Sequence, residues 1–483
     1  MKILLDPVYT ARASTCSTSY LAWQIIKDLA EWRNDCFFYL LCPDKGQQSE
    51  EDQKFLSRMP DRVTLIEYPY VRQDRMEEMY KFTDPLRSLI TPGEAPYWDV
   101  DVILTSRIPQ MQNFRVNTGR SVAFGKGSYQ AIIGLEEMPI FSFRDTVAWG
   151  NSGNVDLQSL AAYQAADALV VNNLWTKKNV LQVARQWLSP SRVMELGKSI
   201  HEAVPVKLQR LGIKRKEIKD NTLNVVFCGR MTGTRNFKEV AELFRKHFSY
   251  PLGKNVKVKF IVSTHSDSTG SSNVGEIDFI EFQHNNREQF HKLLREEAHV
   301  VVNLSTVEDF SLSTYEPLLY GVPVITPNRD WADFLGPDYP FRIKDFGASY
   351  AAIKEFANDY DSAYDKFVDW ESNYWNNLVS SPANTCTSDV LKDIISDHEN
   401  ALVSKLNASS GFAKYRDFIE KLPVGLEELD ALTEAKKQGV LMDKDDWSGI
   451  PTGKRTNFYG LKALLNMYGW VDTNKPGIFH KSK

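Results

Sequence analysis

Two glutamates, Glu308 and Glu316, stand eight positions apart around the run Asp309-Phe310-Ser311-Leu312-Ser313-Thr314-Tyr315. Apolar patterning predicts a strand over 299–303 and a helix over 313–319, so the pair brackets a strand-to-helix turn. Glu308 then lies in the loop and Glu316 in the first turns of the helix. The loop N–H groups and the helix N-terminus form a positive cup suited to a phosphate. Carboxylates on either side of that cup suit the hydroxyls of a sugar and a ribose. Two glutamates alone read better as a surface acid and an exposed helix acid. A second group adds to the first: a predicted strand over 223–228 runs into Gly229-Arg230, with Arg235 and Lys238 further on. Glycine lets a backbone approach a ligand, and guanidinium groups suit a pyrophosphate.

Both groups sit where a parallel sheet binds its ligands, outside the carboxyl ends of strands. The first half of the chain supplies strand patterns at 2–5, 37–41, 63–66, 100–104, 131–135 and 168–171. Helical spacing at 19–32, 157–166 and 174–187 separates several of them, which predicts one doubly wound α/β domain over 1–205. The alternation restarts with strands at 223–228, 256–262, 279–282, 299–303 and 322–325 and helices at 237–248, 287–298 and 313–319, giving a second domain over 220–347. A helical segment over 348–415 is expected to pack back across the domains. An appended module over 418–483 reads as a helix at 425–438, a helix at 458–468 and a hairpin around Asn474-Lys475-Pro476-Gly477, a winged-helix-like set.

The chain's 483 residues, 42% hydrophobic and 25% charged, are enough for several cores without metals or disulfides. A net charge of −4 gives no bulk positive field for nucleic acid or membrane. No apolar run approaches the roughly 20 residues of a membrane span, so no transmembrane anchor is expected. The N-terminus lacks the pattern of a secretory leader, and the five cysteines form no C-x-x-C pair. These readings point to a reducing, cytoplasmic setting (host cytoplasm if the source is viral). Asp99-Val100-Asp101, Asp359-Tyr360-Asp361 and Asp443-Lys444-Asp445 have the D-x-D form but read best as solvated acids, and no metal site is expected. A basic, helix-like segment at 207–219 fits either a solvated linker or a surface for phosphates or anionic lipid. Within 451–483 six Lys/Arg face one acid, Asp472.

A strand ending in Gly-Arg with a basic residue five further on, then Glu-x7-Glu, then Gly321-Val322-Pro323-Val324-Ile325, resembles the retaining glycosyltransferases of the two-Rossmann-domain GT-B fold. The branch is the one that includes glycogen and sucrose synthases, and the likeness runs over about 165–345. It includes Ala168-Leu169-Val170-Val171-Asn172 and Leu196-Gly197-Lys198-Ser199-Ile200. The resemblance implies an α/β, GT-B architecture with two doubly wound domains facing across a cleft, and a nucleotide-sugar donor, a UDP-sugar foremost, used without a metal. It implies that Arg230 and Arg235, beside Gly229, bind the donor diphosphate. Glu308 contacts the donor sugar near the reacting carbon, and Glu316 holds the donor ribose. The backbone of Ser311, Leu312 and Ser313 meets the phosphates.

Arg235 stands where the family usually has lysine, and Ser311 where it usually has glycine. The stretch Pro7 to Thr15 has no glycine-rich loop, and no histidine precedes His201. Glu136-Glu137 reads equally as acceptor-site acids or surface charge, and Gly125-Lys126-Gly127 is no nucleotide fingerprint. The basic tail suggests a DNA acceptor, a hydroxymethylated base of the kind bacteriophage enzymes modify, flipped out to expose its hydroxyl. Lipid-linked, protein and small-molecule acceptors remain open. So does an inactive scaffold that binds nucleic acid.

Overall fold

A computed structural model describes residues 2–6, 24–25, 27–33, 36–43, 48, 50, 53, 56–68, 102–105, 140–142, 168–229, 236–248, 256–264, 280–284, 287–306, 308, 310–408, 413–440, 461, 464–465, 468–473 and 478–481. The expected elements at 131–135 and 157–166 lie outside these residues, as do Glu136, Glu137, the 125–127 stretch, Asp99, Asp101, Asp443 and Asp445. The chain forms two compact units, one of Met1–Val171, Lys177–Val206 and Thr387–Lys483 and one of Asn172–Thr176 and Lys207–Cys386.

The first unit opens with β1 (Lys2–Asp6), β2 (Phe37–Pro43), β3 (Val63–Tyr68), β4 (Val102–Thr105), β5 (Ile140–Ser142), β6 (Ala168–Val171) and β7 (Ile200–Glu202). All pair in parallel, in the order β3-β2-β1-β4-β5-β6-β7. Burial on both faces explains why β6 reads as an unbroken apolar run. Ala168 and Val170 join a core with Ile3, Phe38, Leu40 and the helical residues Ile25 and Leu29. Leu169 and Val171, on the opposite face, pack with Val180 and Ala184 of α1 (Leu174–Trp187) and Leu196 of α2 (Pro190–Ser199). β5 and β7, three residues each, escaped the sequence reading because they are too short to show a period.

The second unit repeats the plan with β8 (Thr222–Cys228), α3 (Phe237–His247), β9 (Lys257–Thr264), β10 (Ile280–His284), α4 (Arg287–Glu296), β11 (Val300–Val302), α5 (Leu312–Leu319), β12 (Val324–Pro327) and β13 (Arg342–Ile343). Its parallel sheet runs β10-β9-β8-β11-β12-β13. Phe227 of β8 packs against Phe237 and Phe260, and Phe260 stacks on Phe244 at 4.0 Å, which fastens α3 to the sheet. Helices α6 (Phe346–Asn358) and α7 (Tyr360–Trp370) follow, and α7 runs into a π-helical turn at Glu371–Trp375. Asp359 caps α7 by accepting the Ser362 N–H, and Asp361 pairs with Arg215, so this D-x-D acts as a cap and an ion-pair partner.

The basic segment at 207–219 is not a helix: residues 207–218 run irregularly into a short 3-10 turn at Lys219–Asn221. Two anchors hold it extended. Leu208 and Leu211 are buried, and the Asn384 amide exchanges two hydrogen bonds with the Leu208 backbone (3.0 and 2.9 Å). Its charges are used within the unit as well. Arg215 pairs with Asp361 and Asp365, and Lys216 donates to the Ala298 carbonyl at 2.8 Å.

The chain then returns to the first unit with α8 (Thr387–Ala408), whose Leu391 and Ile395 enter the core of Ile3 and Val170. The C-terminal module has α9 (Ala413–Glu420), β14 (Glu428–Asp430), α10 (Ala431–Lys437), helical residues at 461 and 464–465, β15 (Trp470–Asp472) and β16 (Ile478–Lys481). The helix expected over 425–438 is a strand followed by a shorter helix. Gly425 sits at φ 90°, and Asp430 caps α10 by accepting the Thr433 N–H at 3.0 Å. The strands pair antiparallel in the order β14-β16-β15 over Leu461, Leu464, Leu465, Tyr415 and Phe418.

Buried His299 makes the stability of the second unit depend on pH. Its Nδ1 accepts the Asn224 N–H at 2.9 Å, and its Nε2–H donates to the Glu217 carbonyl at 3.2 Å, so the ring is held neutral. Burial, reinforced by the Lys216 ammonium, keeps its pKa below the ordinary 6.5. The native state therefore binds fewer protons than the unfolded chain, and this contribution is complete above 6.5 and shrinks as pH falls below it. Urea midpoints should drop between pH 7.5 and 5.5. His299→Asn, whose Oδ1 can replace the Nδ1 acceptor, should flatten that slope.

Candidate functional site

The strand order of the second unit reverses at β8 and β11: β9 and β10 extend the sheet one way, β12 and β13 the other. Crossover connections therefore leave these neighbouring strands in opposite directions, and a crevice opens outside their carboxyl ends. Gly229 follows β8 directly. Its φ of 123° is open to glycine and costly for other residues, and its N–H donates to the Ser263 carbonyl at 3.1 Å. Arg230 and Arg235 lie outside the described residues. The described chain resumes at Asn236, which adopts a left-handed φ of 53° and donates from its side chain to the Leu304 carbonyl at 2.7 Å. That bond ties the approach to α3 to the segment leaving β11.

Asn303 follows β11 directly, and its carboxamide organises the turn into α5. Nδ2 is shared among the hydroxyls of Ser311 (2.7 Å), Thr314 (2.8 Å) and Ser313 (3.3 Å), while Oδ1 accepts the Ser305 N–H at 3.2 Å. Ser311 and Ser313 also bond to each other at 3.0 Å, and all these side chains are buried. Their hydroxyls thus turn inward. The N–H groups of Ser311 and Leu312, at the start of α5, have no acceptor among the described residues. They are the unsatisfied donors a helix N-terminus offers to an anion. The backbone, not the serine hydroxyls, is what this turn presents.

Glu308 and Glu316 are both buried, each 7% exposed, so neither is the surface acid that two isolated glutamates suggest. Glu316 lies one turn into α5. Its Oε1 pairs with the Arg287 guanidinium and accepts the His291 Nε2–H at 3.1 Å, both from α4. Tyr315 packs between Phe310 and Trp375, and its hydroxyl accepts the Gln209 N–H at 3.1 Å. Past the end of α5, Gly321 sits at φ 67°. A Cβ there would lie 2.6 Å from the Gly212 carbonyl. The turn is closed at both ends, by Asn303 before α5 and Gly321 after it.

The structure thus brings Gly229, Glu308, Ser311, Leu312, Ser313 and Glu316 to one end of one sheet. The sequence reading missed Asn303, Asn236, Arg287 and His291. The polar run Asn303, Ser305, Ser311, Ser313 and Thr314 around an apolar strand signalled a buried network, but the partners required the fold.

No family model matches the sequence, and no curated protein matches it. Solved structures do. A sucrose-phosphate synthase from Thermosynechococcus elongatus superimposes with a TM-score of 0.53 at 13% identity, covering 83% of this chain and 100% of that one. An alpha,alpha-trehalose-phosphate synthase (UDP-forming) from Burkholderia xenovorans, in complex with glucose-6-phosphate, gives 0.51 at 10% identity over 82% and 99%. The N-terminal domain of a Candida albicans trehalose-6-phosphate phosphatase gives 0.50 at 14% identity over 82% and 96%. The chain has the GT-B fold. At these identities the likeness concerns the fold, which both sheets of the chain express through a 3-2-1-4-5-6 strand sequence, with β7 added as a seventh strand in the first.

Asn303→Leu should leave the buried hydroxyls of Ser311 and Thr314 without their shared donor. A loss of about 2 kcal/mol is expected, read as a lower urea midpoint. An unchanged midpoint would show that the carboxamide does not hold the turn.

Proposed function

We propose that the chain is a retaining glycosyltransferase that moves a sugar from a nucleotide-sugar donor, a UDP-sugar foremost, to an acceptor hydroxyl. The observation that carries this reading is the buried pair Glu308 and Glu316, set on either side of the open N-terminus of α5 in a GT-B fold. The names of two similar structures, a sucrose-phosphate synthase and a UDP-forming trehalose-phosphate synthase, favour the same chemistry. In this reading Gly229, Arg230 and Arg235 receive the diphosphate with the backbone of Ser311, Leu312 and Ser313. Glu308 faces the donor sugar, and Glu316 holds the ribose. The bond from the anomeric carbon to the phosphate oxygen breaks, and a bond to the acceptor oxygen forms on the same face. The acceptor proton passes to the departing diphosphate. Cationic side chains and the α5 dipole stabilise that leaving group, with no metal assigned to it.

For the acceptor we propose the hydroxyl of a hydroxymethylated base in DNA, as in a bacteriophage modification enzyme. What supports it is the C-terminal module. Helix, strand, helix, helical residues and a two-stranded hairpin, with the first strand added beside the last, is the order of a winged helix. Six Lys/Arg against one acid fall in 451–483, the part of the module that includes the later helical residues and the hairpin. Those charges suit backbone phosphates.

A donor-hydrolysis screen across nucleotide sugars, with and without DNA containing hydroxymethylated bases, tests both levels. Turnover of one donor, stimulated by that DNA, is expected. Glu308→Gln and Arg230→Ala should each lower transfer by roughly 100-fold or more while leaving the melting temperature within a few degrees. Full activity in both variants removes the site assignment. Stimulation by another acceptor in place of DNA removes the acceptor reading alone.

A further inference from the structure

Helix α4 carries Arg287, His291 and Arg295 at successive four-residue steps, which places them on one stripe. Helix α5 and the residue after it answer with Glu316 and Tyr320, also four apart. Arg287 and His291 both engage Glu316, the His291 ring lies 5.4 Å from the Tyr320 ring, and the Arg295 guanidinium sits 5.9 Å from the same ring. Two helices are thus locked in register by the Arg287, His291 and Arg295 stripe around one buried carboxylate.

The two donors to Glu316 use the same oxygen, Oε1. Oε2 accepts nothing among the described residues, and the side chain as a whole is 9% exposed. A carboxylate buried for structure alone gains by satisfying both oxygens within the protein, because an unmade bond to a charged group is costly. Here one oxygen is clamped and the other has no acceptor role among the described residues. Arg287, three residues beyond the end of β10, brings this clamp to the ligand end of the sheet.

We infer that Arg287 and His291 are positioning residues that fix Glu316 so that Oε2 receives the vicinal hydroxyls of the donor ribose. The donor site then discriminates ribonucleoside from 2′-deoxyribonucleoside diphosphates. This rests on the reading of Glu316 as the group that meets the nucleoside. A hydrogen bond from a hydroxyl to a carboxylate is worth about 1.5–3 kcal/mol, so losing the 2′-hydroxyl should weaken binding roughly tenfold or more. The clamp supplies this selectivity through geometry. Its loss should lower affinity for the ribonucleotide, which donates two hydroxyls to Oε2, by more than for the deoxyribonucleotide, which donates only its 3′-hydroxyl.

Calorimetry of the full chain with uridine, adenosine, guanosine and cytidine diphosphates, each beside its 2′-deoxy counterpart, tests this. His291→Phe keeps a ring against Tyr320 but removes the donor, and Arg287→Lys keeps the charge but loses the fork. Each is expected to cut the ribose preference at least threefold by weakening the ribonucleotide more than its 2′-deoxy counterpart. On a Glu316→Gln background neither should have a further effect. A preference unchanged in either folded variant overturns the inference and makes the stripe a packing device. Ribose and deoxyribose bound equally by the unaltered protein overturns it too, while the donor reading stands. No binding of any nucleoside diphosphate overturns both. Circular dichroism confirms folding of each variant, and either variant alone decides the outcome.

Discussion

The amide of Asn303 closes the turn from β11 to α5, and the rest of the site is built on that closure. Its Nδ2 gathers the hydroxyls of Ser311, Thr314 and Ser313, and its Oδ1 takes the Ser305 N–H. A buried network of this kind stabilises only when every member is satisfied, because each orphaned group carries its full desolvation cost. With the hydroxyls satisfied internally, the N–H groups of Ser311 and Leu312 have no acceptor among the described residues. The same closure fixes where α5 starts, and therefore which residues of the helix face α4. Glu316 meets Arg287 and His291 as a consequence.

The two sheets share one strand order, and that order decides where chemistry can occur. In each, the third, second and first strands precede the fourth, fifth and sixth. The reversal between first and fourth leaves a crevice that no crossover covers. In the second unit Gly229 leaves one side of it and Asn303 the other, joined by the bond from Asn236 to Leu304. The sheet thus provides the crevice, while a few polar residues in its loops provide what lines it.

Much of this was legible in the sequence because strands buried on both faces are written as plain apolar runs. β6, β8 and β11 are examples, and the strand-to-helix turn around Ser311 announces itself by the switch in period. Three kinds of feature were not legible. Strands of two or three residues, such as β5, β7 and β13, are too short for any pattern. The basic segment at 207–219 has helical charge spacing, but long-range partners such as Asn384 and Ala298 hold it extended. Nor does a sequence show that Arg287 and Glu316, 29 residues apart, share a salt bridge. The net charge of −4 misleads in the same way, since it averages cations bound within the second unit with a basic excess in the last residues.

The central claim is that a nucleotide seats at the reversal of the second sheet, on the open start of α5. Hydrogen–deuterium exchange with and without a saturating nucleoside diphosphate tests it most directly. The amides of 311–316 should slow on binding, with those around 229 and 236 beside them, because a seated diphosphate occupies the N–H groups of Ser311 and Leu312, which have no acceptor among the described residues. Unchanged exchange in 311–316 under saturating nucleotide would contradict the account, as would protection confined to the first unit.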